Sequence, residues 1–395
     1  TKDAIIRAAV SEGLTVTQDV GTPVDFESGS TGAVDITFDS SNNKVVIAYI
    51  DLGDSYKGKA VVGTVDASNN SISFGTPVVF DTTEVQDDYM GITFDSSNNK
   101  VVIAYRDQSN SNQGTAIVGT VSGTSISFGS DVVWNSGSTG AFGITFDSNA
   151  NKVVIMYRDS GNSNYGTAIV GTVSGTSISF GSEVVFESAT TSYPRGTFDS
   201  NSNKVVIVYR DQGNSGVGTG IVGTVSGTSI SFGSAATFNS ENTTYTAATF
   251  DSSNNKIVAV AESGSNLKAF VGTVSGTSIS FGSAVDVDTG SGVYNNIAFD
   301  SNAGKVVVIY QDQNNSNYPT FISGTVSGTS ISFDTAVQIK ASATNKNAGI
   351  VFDSNAKRIV GGYRDEGGND YGEAAVLKTG YTSATGGTIA DGSAV

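Results

Sequence analysis

The sequence predicts an all-β fold, and three observations carry that expectation: one ten-residue phrase spelled five times, a composition rich in turn formers, and short apolar runs that recur at a fixed period. "GTVSGTSISF" begins at Gly119, Gly171, Gly223, Gly272 and Gly324, with an expanded relative, "GTVDASNNSISF", at Gly63. The 48 glycines, with abundant Ser, Thr, Asn and Val against two Met and four Pro, suit many short strands joined by tight polar turns. A length of 395 residues could hold two or three domains, but an array of repeats shares one continuous core, so the period decides the architecture.

That period is read from "FDS", which begins at Phe38, Phe94, Phe146, Phe198, Phe250, Phe299 and Phe352, at spacings of 56, 52, 52, 52, 49 and 53 residues. Each of the seven units reads as four strands. In the second they are "GITFD" (91–95), "KVVIAYRD" (100–107), "TAIVGTV" (115–121) and "SISFGSDVVW" (125–134), called here A to D. Strand B is apolar on both faces, Val101, Ile103 and Tyr105 on one and Val102 and Ala104 on the other, as expected of a sheet packed between two neighbouring sheets. "DSSNNK", "RDQSNSNQG" and "SGTS" are hairpin connections, and the length changes between units fall in such loops. Four antiparallel strands per unit, repeated with two apolar faces, predict a seven-bladed β-propeller.

The seventh unit has a strand B, "KRIVGGYRD", and a strand C, "GEAAVLKTGY", but no "SISF" equivalent. The missing strand is expected from the other end of the chain, where "LTVTQDVGTPVDF" (14–26) aligns with the strand D "SISFGTPVVF" (71–80). Pairing it with the last blade closes the ring and leaves no open seam. The propeller then spans residues 14–381, with strand A lining the channel and strand D at the rim. Residues 1–13 read as a short helical or linker segment and 382–395 as a small, polar linker. A start at Thr1 reads as a processed product or part of a longer chain.

Composition narrows the chemistry. With 21 Lys plus Arg against 37 Asp plus Glu the formal charge is −16, and no basic run appears, so nucleic acid is not an expected partner. The absence of Cys and His removes disulfides, thiolate metal sites and the usual general base; no metal or cofactor is expected. The "DQSNSNQG" loops lack the alternating ligands and acidic closing residue of a calcium loop, and asparagine-stabilised turns explain them. No apolar run approaches the roughly 20 residues of a membrane span, so membrane insertion is not expected.

The A-to-B and C-to-D turns are nearly uniform from unit to unit, whereas the D-to-A and B-to-C loops on the other face vary, which points to the variable face for specificity. Two features stand out there. Five residues before the "FDS" phenylalanine come Tyr89, Tyr193, Tyr245 and Tyr294, with Phe142 one place later in another unit; at the end of strand B, Arg106, Arg158, Arg210 and Arg364 precede an aspartate in "YRD". Aromatic rings and guanidinium groups at a channel mouth suit a glycan, which offers apolar ring faces and hydroxyls. The plainer readings stand beside it: aromatics packing between blades, and Arg–Asp pairs that only hold blades together. The strand B tyrosines, Tyr49, Tyr105, Tyr157, Tyr209, Tyr310 and Tyr363, lie in apolar runs and read as structural.

Taken together, "FDS..NK", "KVVIAYRD" and "GTVSGTSISF" resemble the repeat β-propeller proteins of marine phages and marine bacteria, over roughly residues 14–381. The resemblance implies a tail-fibre or other virion-associated or cell-surface protein, working in adhesion or host recognition beside other subunits of the assembly, and it supplies no catalytic residues. The expected partner is a host-surface glycan or protein. A purely structural spacer is the alternative. A glycan-cleaving enzyme is a third reading, for which the non-repeating acids Asp87, Asp88, Glu241 and Glu262 are the carboxylates to inspect.

Overall fold

The computed structural model describes residues 18–288, 290–344 and 348–380. The chain is all-β: antiparallel strands dominate, and among the described residues the only helices are three single 3-10 turns, Leu52–Asp54, Gln212–Asn214 and Glu366–Gly368. The expected helix or linker at 1–13, the linker at 382–395 and the start of the closing strand at 14–17 lie outside the described residues.

Every repeat is an antiparallel meander in the order A-B-C-D. In the first repeat these strands are Thr31–Asp39, Lys44–Asp51, Lys57–Asp66 and Ser71–Phe74, and Phe38, Val45, Gly63 and Phe74 form one row across them. That row explains the glycine of "GTV": a Cβ on Gly63 would stand 2.7 Å from Ile72 Cδ1, because the outer-strand Ile and Phe fold back over it.

Strand D differs from the expectation of one continuous element. It is broken into Ser71–Phe74 and Val78–Asp81, both paired with strand C. The break accommodates the next repeat. A Cβ on Gly75 would lie 1.9 Å from the carbonyl oxygen of Thr124 in the following C-to-D turn, and Gly129, Gly181, Gly233 and Gly282 meet Thr176, Thr228, Thr277 and Thr329 in the same way. In the sixth repeat the glycine is replaced by Asp334, which binds Lys305 and Ser323, since the seventh has no such turn to receive. In the third and fourth repeats the 16-residue strands Val132–Asp147 and Val184–Asp199 run from one outer edge into the next inner strand.

The seventh repeat, Gly349–Asp353, Arg358–Asp365 and Tyr371–Lys378, is completed by Asp19–Val20 and Val24–Glu27, which pair with Tyr371–Lys378 in the registers Asp19↔Lys378 and Val24↔Ala374. The first strands of successive repeats lie against one another, and the seventh lies against the first: a Cβ on Gly349 would come 2.9 Å from the Cα of Asp35.

Between repeats, an aromatic from the second half of strand D stacks on the strand B tyrosine of the next repeat. The pairs are Phe26–Tyr49, Phe80–Tyr105, Trp134–Tyr157 and Phe186–Tyr209, with ring centroids 5.1, 5.3, 4.7 and 5.2 Å apart. Each of these tyrosines is fully buried, and their hydroxyls find polar partners, as Tyr49 does in donating to Glu27 at 2.9 Å and Tyr209 to Glu187 at 3.0 Å. The structural reading of this tyrosine column follows directly.

The "FDS" turns repeat one geometry. Asp95, 1 % exposed, accepts hydrogen bonds from the Ser97 and Asn98 backbone N–H groups at 2.9 and 3.0 Å, and Asp39, Asp147, Asp199, Asp251, Asp300 and Asp353 do the same two and three residues ahead. Four residues after the aspartate the chain turns left-handed, at Asn43, Asn99, Asn151, Asn203 and Asn255 with φ of 53 to 55°, at Gly304, and at Lys357 with φ 56°.

Candidate functional site

The opposite end of the inner strands is less uniform. Ser192 pairs with Arg210 and Arg195 with Val208, so Tyr193 and Pro194 together oppose the single Tyr209. The same two-against-one bulge holds Tyr245 and Thr246, and Tyr294 and Asn295. A bulge of this kind usually places glycine at its left-handed position. Here Tyr193, Tyr245 and Tyr294 occupy it, with φ of 51, 49 and 51°, a conformation that costs an L-residue about 1–2 kcal/mol.

The strained backbone aims three half-buried rings at one another. Tyr193 and Tyr245 have centroids 5.2 Å apart and Tyr245 and Tyr294 4.9 Å apart, a continuous aromatic wall across three repeats. Burial raises the Tyr193 hydroxyl pKa; Arg210 opposes this and Glu262, Tyr89 and Tyr294 add to it, so all of these groups share one neighbourhood. Burial and then Tyr294 likewise raise the Tyr245 hydroxyl.

Tyr89 lies apart from that stack, beneath Arg106, whose guanidinium carbon is 5.0 Å from the ring centroid. Arg106 feels the positive charge of Arg158, and burial holds its pKa below the usual arginine value. Arg210 donates to Asn242 at 2.7 Å. Phe142, by contrast, is buried and packs edge-on against Trp134 with centroids 5.9 Å apart, so it belongs to the contact between repeats. Arg364 is tied to Asp370 of its own loop at 2.6 Å.

The "YRD" aspartates do not pair with the adjacent arginines, because neighbouring strand residues point to opposite faces. Asp107, Asp159 and Asp211 instead cap their own B-to-C turns, accepting from Asn110, Asn162 and Asn214 at 3.0, 3.1 and 3.1 Å. Asp365 binds Lys340 at 2.5 Å and also Ser342. Among the acids singled out from sequence, Asp87 accepts from the Ala33 N–H at 2.8 Å, Glu241 from Lys268 at 3.0 Å, and Glu262 from Thr244. The Asp88 side chain lies outside the described residues.

Below the tyrosines is a cavity of about 120 Å³ lined from all seven inner strands: Asp35, Met90, Phe142, Arg195, Ala247, Asn296 and Ile350 each come from a different one. A smaller space of about 30 Å³ joins it to the aromatic wall, bounded by Tyr193, Tyr245, Arg195, Asn295 and Asn296. Arg195 donates to the carbonyls of Phe142 and Pro194, the latter at 3.2 Å. Burial lifts the Asp35 pKa to about 6, against the pull of the Ile36 N–H, Arg195 and the Ile92 N–H. Asn295 is 6 % exposed, and neither its amide nitrogen nor its oxygen has a hydrogen-bond partner in the protein.

Sequence reasoning missed these throat residues. The signal was present: three places before each "FDS" phenylalanine stand Asp35, Gly91, Gly143, Arg195, Ala247, Asn296 and Gly349, so three polar side chains interrupt a column of small ones.

No family model and no curated protein matches the chain. Among solved structures, a triple arginine-to-alanine mutant of AofleA from Arthrobotrys oligospora is similar at a TM-score of 0.51 and 11 % identity, covering 82 % of this chain and 92 % of that one. The likeness is one of fold.

Proposed function

We propose that the chain is a seven-bladed β-propeller that binds a surface glycan at the mouth of its channel, as a non-catalytic adhesion or host-recognition module of a virion or cell surface. The observation that carries the binding reading is the wall of Tyr193, Tyr245 and Tyr294, held at a positive φ in three successive repeats. Backbone strain that folding alone would remove is retained where a side chain must be aimed, and stacked half-buried rings beside arginines offer what a sugar needs. The seven "FDS" units, their neighbouring inner strands and the N-terminal strands in the seventh repeat support the closed seven-bladed reading. The arginines replaced in the AofleA crystal stand at positions 97, 150 and 203 of that chain, a spacing close to that of Arg106, Arg158 and Arg210 here.

A glycan microarray probed with the purified protein and with Tyr193→Ala, Tyr245→Ala and Tyr294→Ala tests the reading. Binding that is lost in the variants supports it, and unchanged binding sinks it. A structural spacer is the second reading. Val133 and Val185, exposed on outer strands of the second and third repeats, would then be covered by another chain, and a defined assembly that fails to form with Val133→Ser and Val185→Ser would favour it.

A further inference from the structure

The groups around the mouth are unevenly distributed. At the strand B position before the capping residue, successive repeats carry Ile50, Arg106, Arg158, Arg210, Glu262, Gln311 and Arg364. Three consecutive repeats therefore carry a guanidinium at this position, Arg106 over Tyr89, Arg210 near Tyr193 and Arg158 within reach of Arg106, and Arg195 adds a fourth just below the tyrosines. Four of the chain's seven arginines gather here, in a protein of formal charge −16.

Their donors are poorly satisfied. The Nε atoms of Arg106, Arg158 and Arg210 are buried with no acceptor in the protein, and Asn295, more than nine-tenths buried, leaves its whole amide unpartnered at the wall of the throat. Arg106 and Arg158 also repel each other. Buried donors lacking acceptors cost free energy that an incoming acceptor returns, and an anionic acceptor returns most when like charges crowd. Glu262, in the repeat after Arg210, lies close enough to Tyr193 and Tyr245 to act on both and accepts from Thr244, while Asp87 and Asp35 are held by backbone N–H groups.

We propose that the mouth selects an acidic saccharide, its carboxylate or sulfate taken by the Arg106–Arg158–Arg210 arc and its sugar ring stacked on Tyr193 and Tyr245. The inference rests on the glycan-binding reading above and names the substrate class. A charged sugar unit fits better than a long polyanion: at physiological salt charges are screened over about 8 Å, so the arc governs its immediate surroundings while the acidic body repels an extended chain.

The test is a titration of the full chain against matched neutral, carboxylated and sulfated oligosaccharides, repeated with Arg158→Gln, Arg210→Gln and Gly140→Ala. A Cβ on Gly140 would stand 2.3 Å from Arg158 Nε, so that variant displaces the guanidinium without changing a side chain that meets the ligand. Expected are at least about tenfold tighter binding of an acidic sugar over its neutral counterpart, weakening as salt rises, and loss of that preference in all three variants with thermal unfolding unchanged. Preference for carboxylated over sulfated sugars, or the reverse, identifies the anion. Equal binding of neutral and acidic sugars, or a preference that survives the variants, overturns the inference and leaves glycan binding standing. Binding of no sugar at all removes both.

Discussion

The two ends of the inner strands differ in how they treat the same backbone. At the "FDS" end all seven turns are capped by a buried aspartate and closed by a left-handed residue, which is asparagine or glycine in six of them. At the mouth, the left-handed position of the bulge is held by tyrosine in three repeats, and the neighbouring strand B residue changes from isoleucine to arginine, glutamate and glutamine. One end takes the least strained solution every time. The other keeps a strained one and varies its charge, which is how a scaffold differs from a surface that recognises something.

The largest effect should come from breaking the uniform end. Asp95→Ala leaves the Ser97 and Asn98 N–H groups without their carboxylate and is expected to cost about 2–4 kcal/mol in chemical denaturation, with glycan binding unchanged at the far mouth.

Next is a pH effect in the throat. Because burial raises the Asp35 pKa to about 6, above the ordinary aspartate value of 3.8, the folded state holds this proton more tightly than the unfolded chain. Its contribution to stability is therefore greatest below about pH 4 and declines as pH rises to about 6, by at most about 3 kcal/mol. Asp35→Asn should flatten that part of the stability profile, and a profile of unchanged slope would show that Asp35 titrates normally.

At the mouth, Tyr245→Ala should weaken binding at least about tenfold, roughly 1.4 kcal/mol, while shifting stability by less than that, since the lost packing is offset by weaker demands at a half-buried site. The smallest effect belongs to Lys357, which breaks the asparagine pattern of the uniform end. Lys357→Asn should stabilise the fold by about 0.5 kcal/mol, measured by thermal unfolding, because asparagine tolerates a φ of 56° better.

Most of the scaffold was legible in the sequence because repetition multiplies a weak signal. One "SGTS" is an ordinary turn, but six related phrases with glycine under the same Ile and Phe define a register, and the absent seventh pointed to the N-terminal strands now paired with Tyr371–Lys378. The break in strand D was hidden because its cause, contact between Gly75 and the Thr124 turn, lies in the next repeat. At the mouth, Tyr193, Tyr245 and Tyr294 were found by counting, and Tyr89 and Arg106 came with them. Phe142, one place further along its strand, packs on Trp134 and lines the cavity below the tyrosines, a depth that counting along the strand does not give. Arg195 and Asn295 went unseen because their partners, or lack of them, arise only when seven inner strands surround one space.

The most direct test is Tyr245→Gly, followed by glycan binding and thermal unfolding of the same sample. Glycine relieves the left-handed strain and removes the ring. Binding should be lost, with thermal stability equal to or above that of the parent. Binding retained, or a fold that collapses, would mean that the strained tyrosines serve packing and that the mouth is no recognition site.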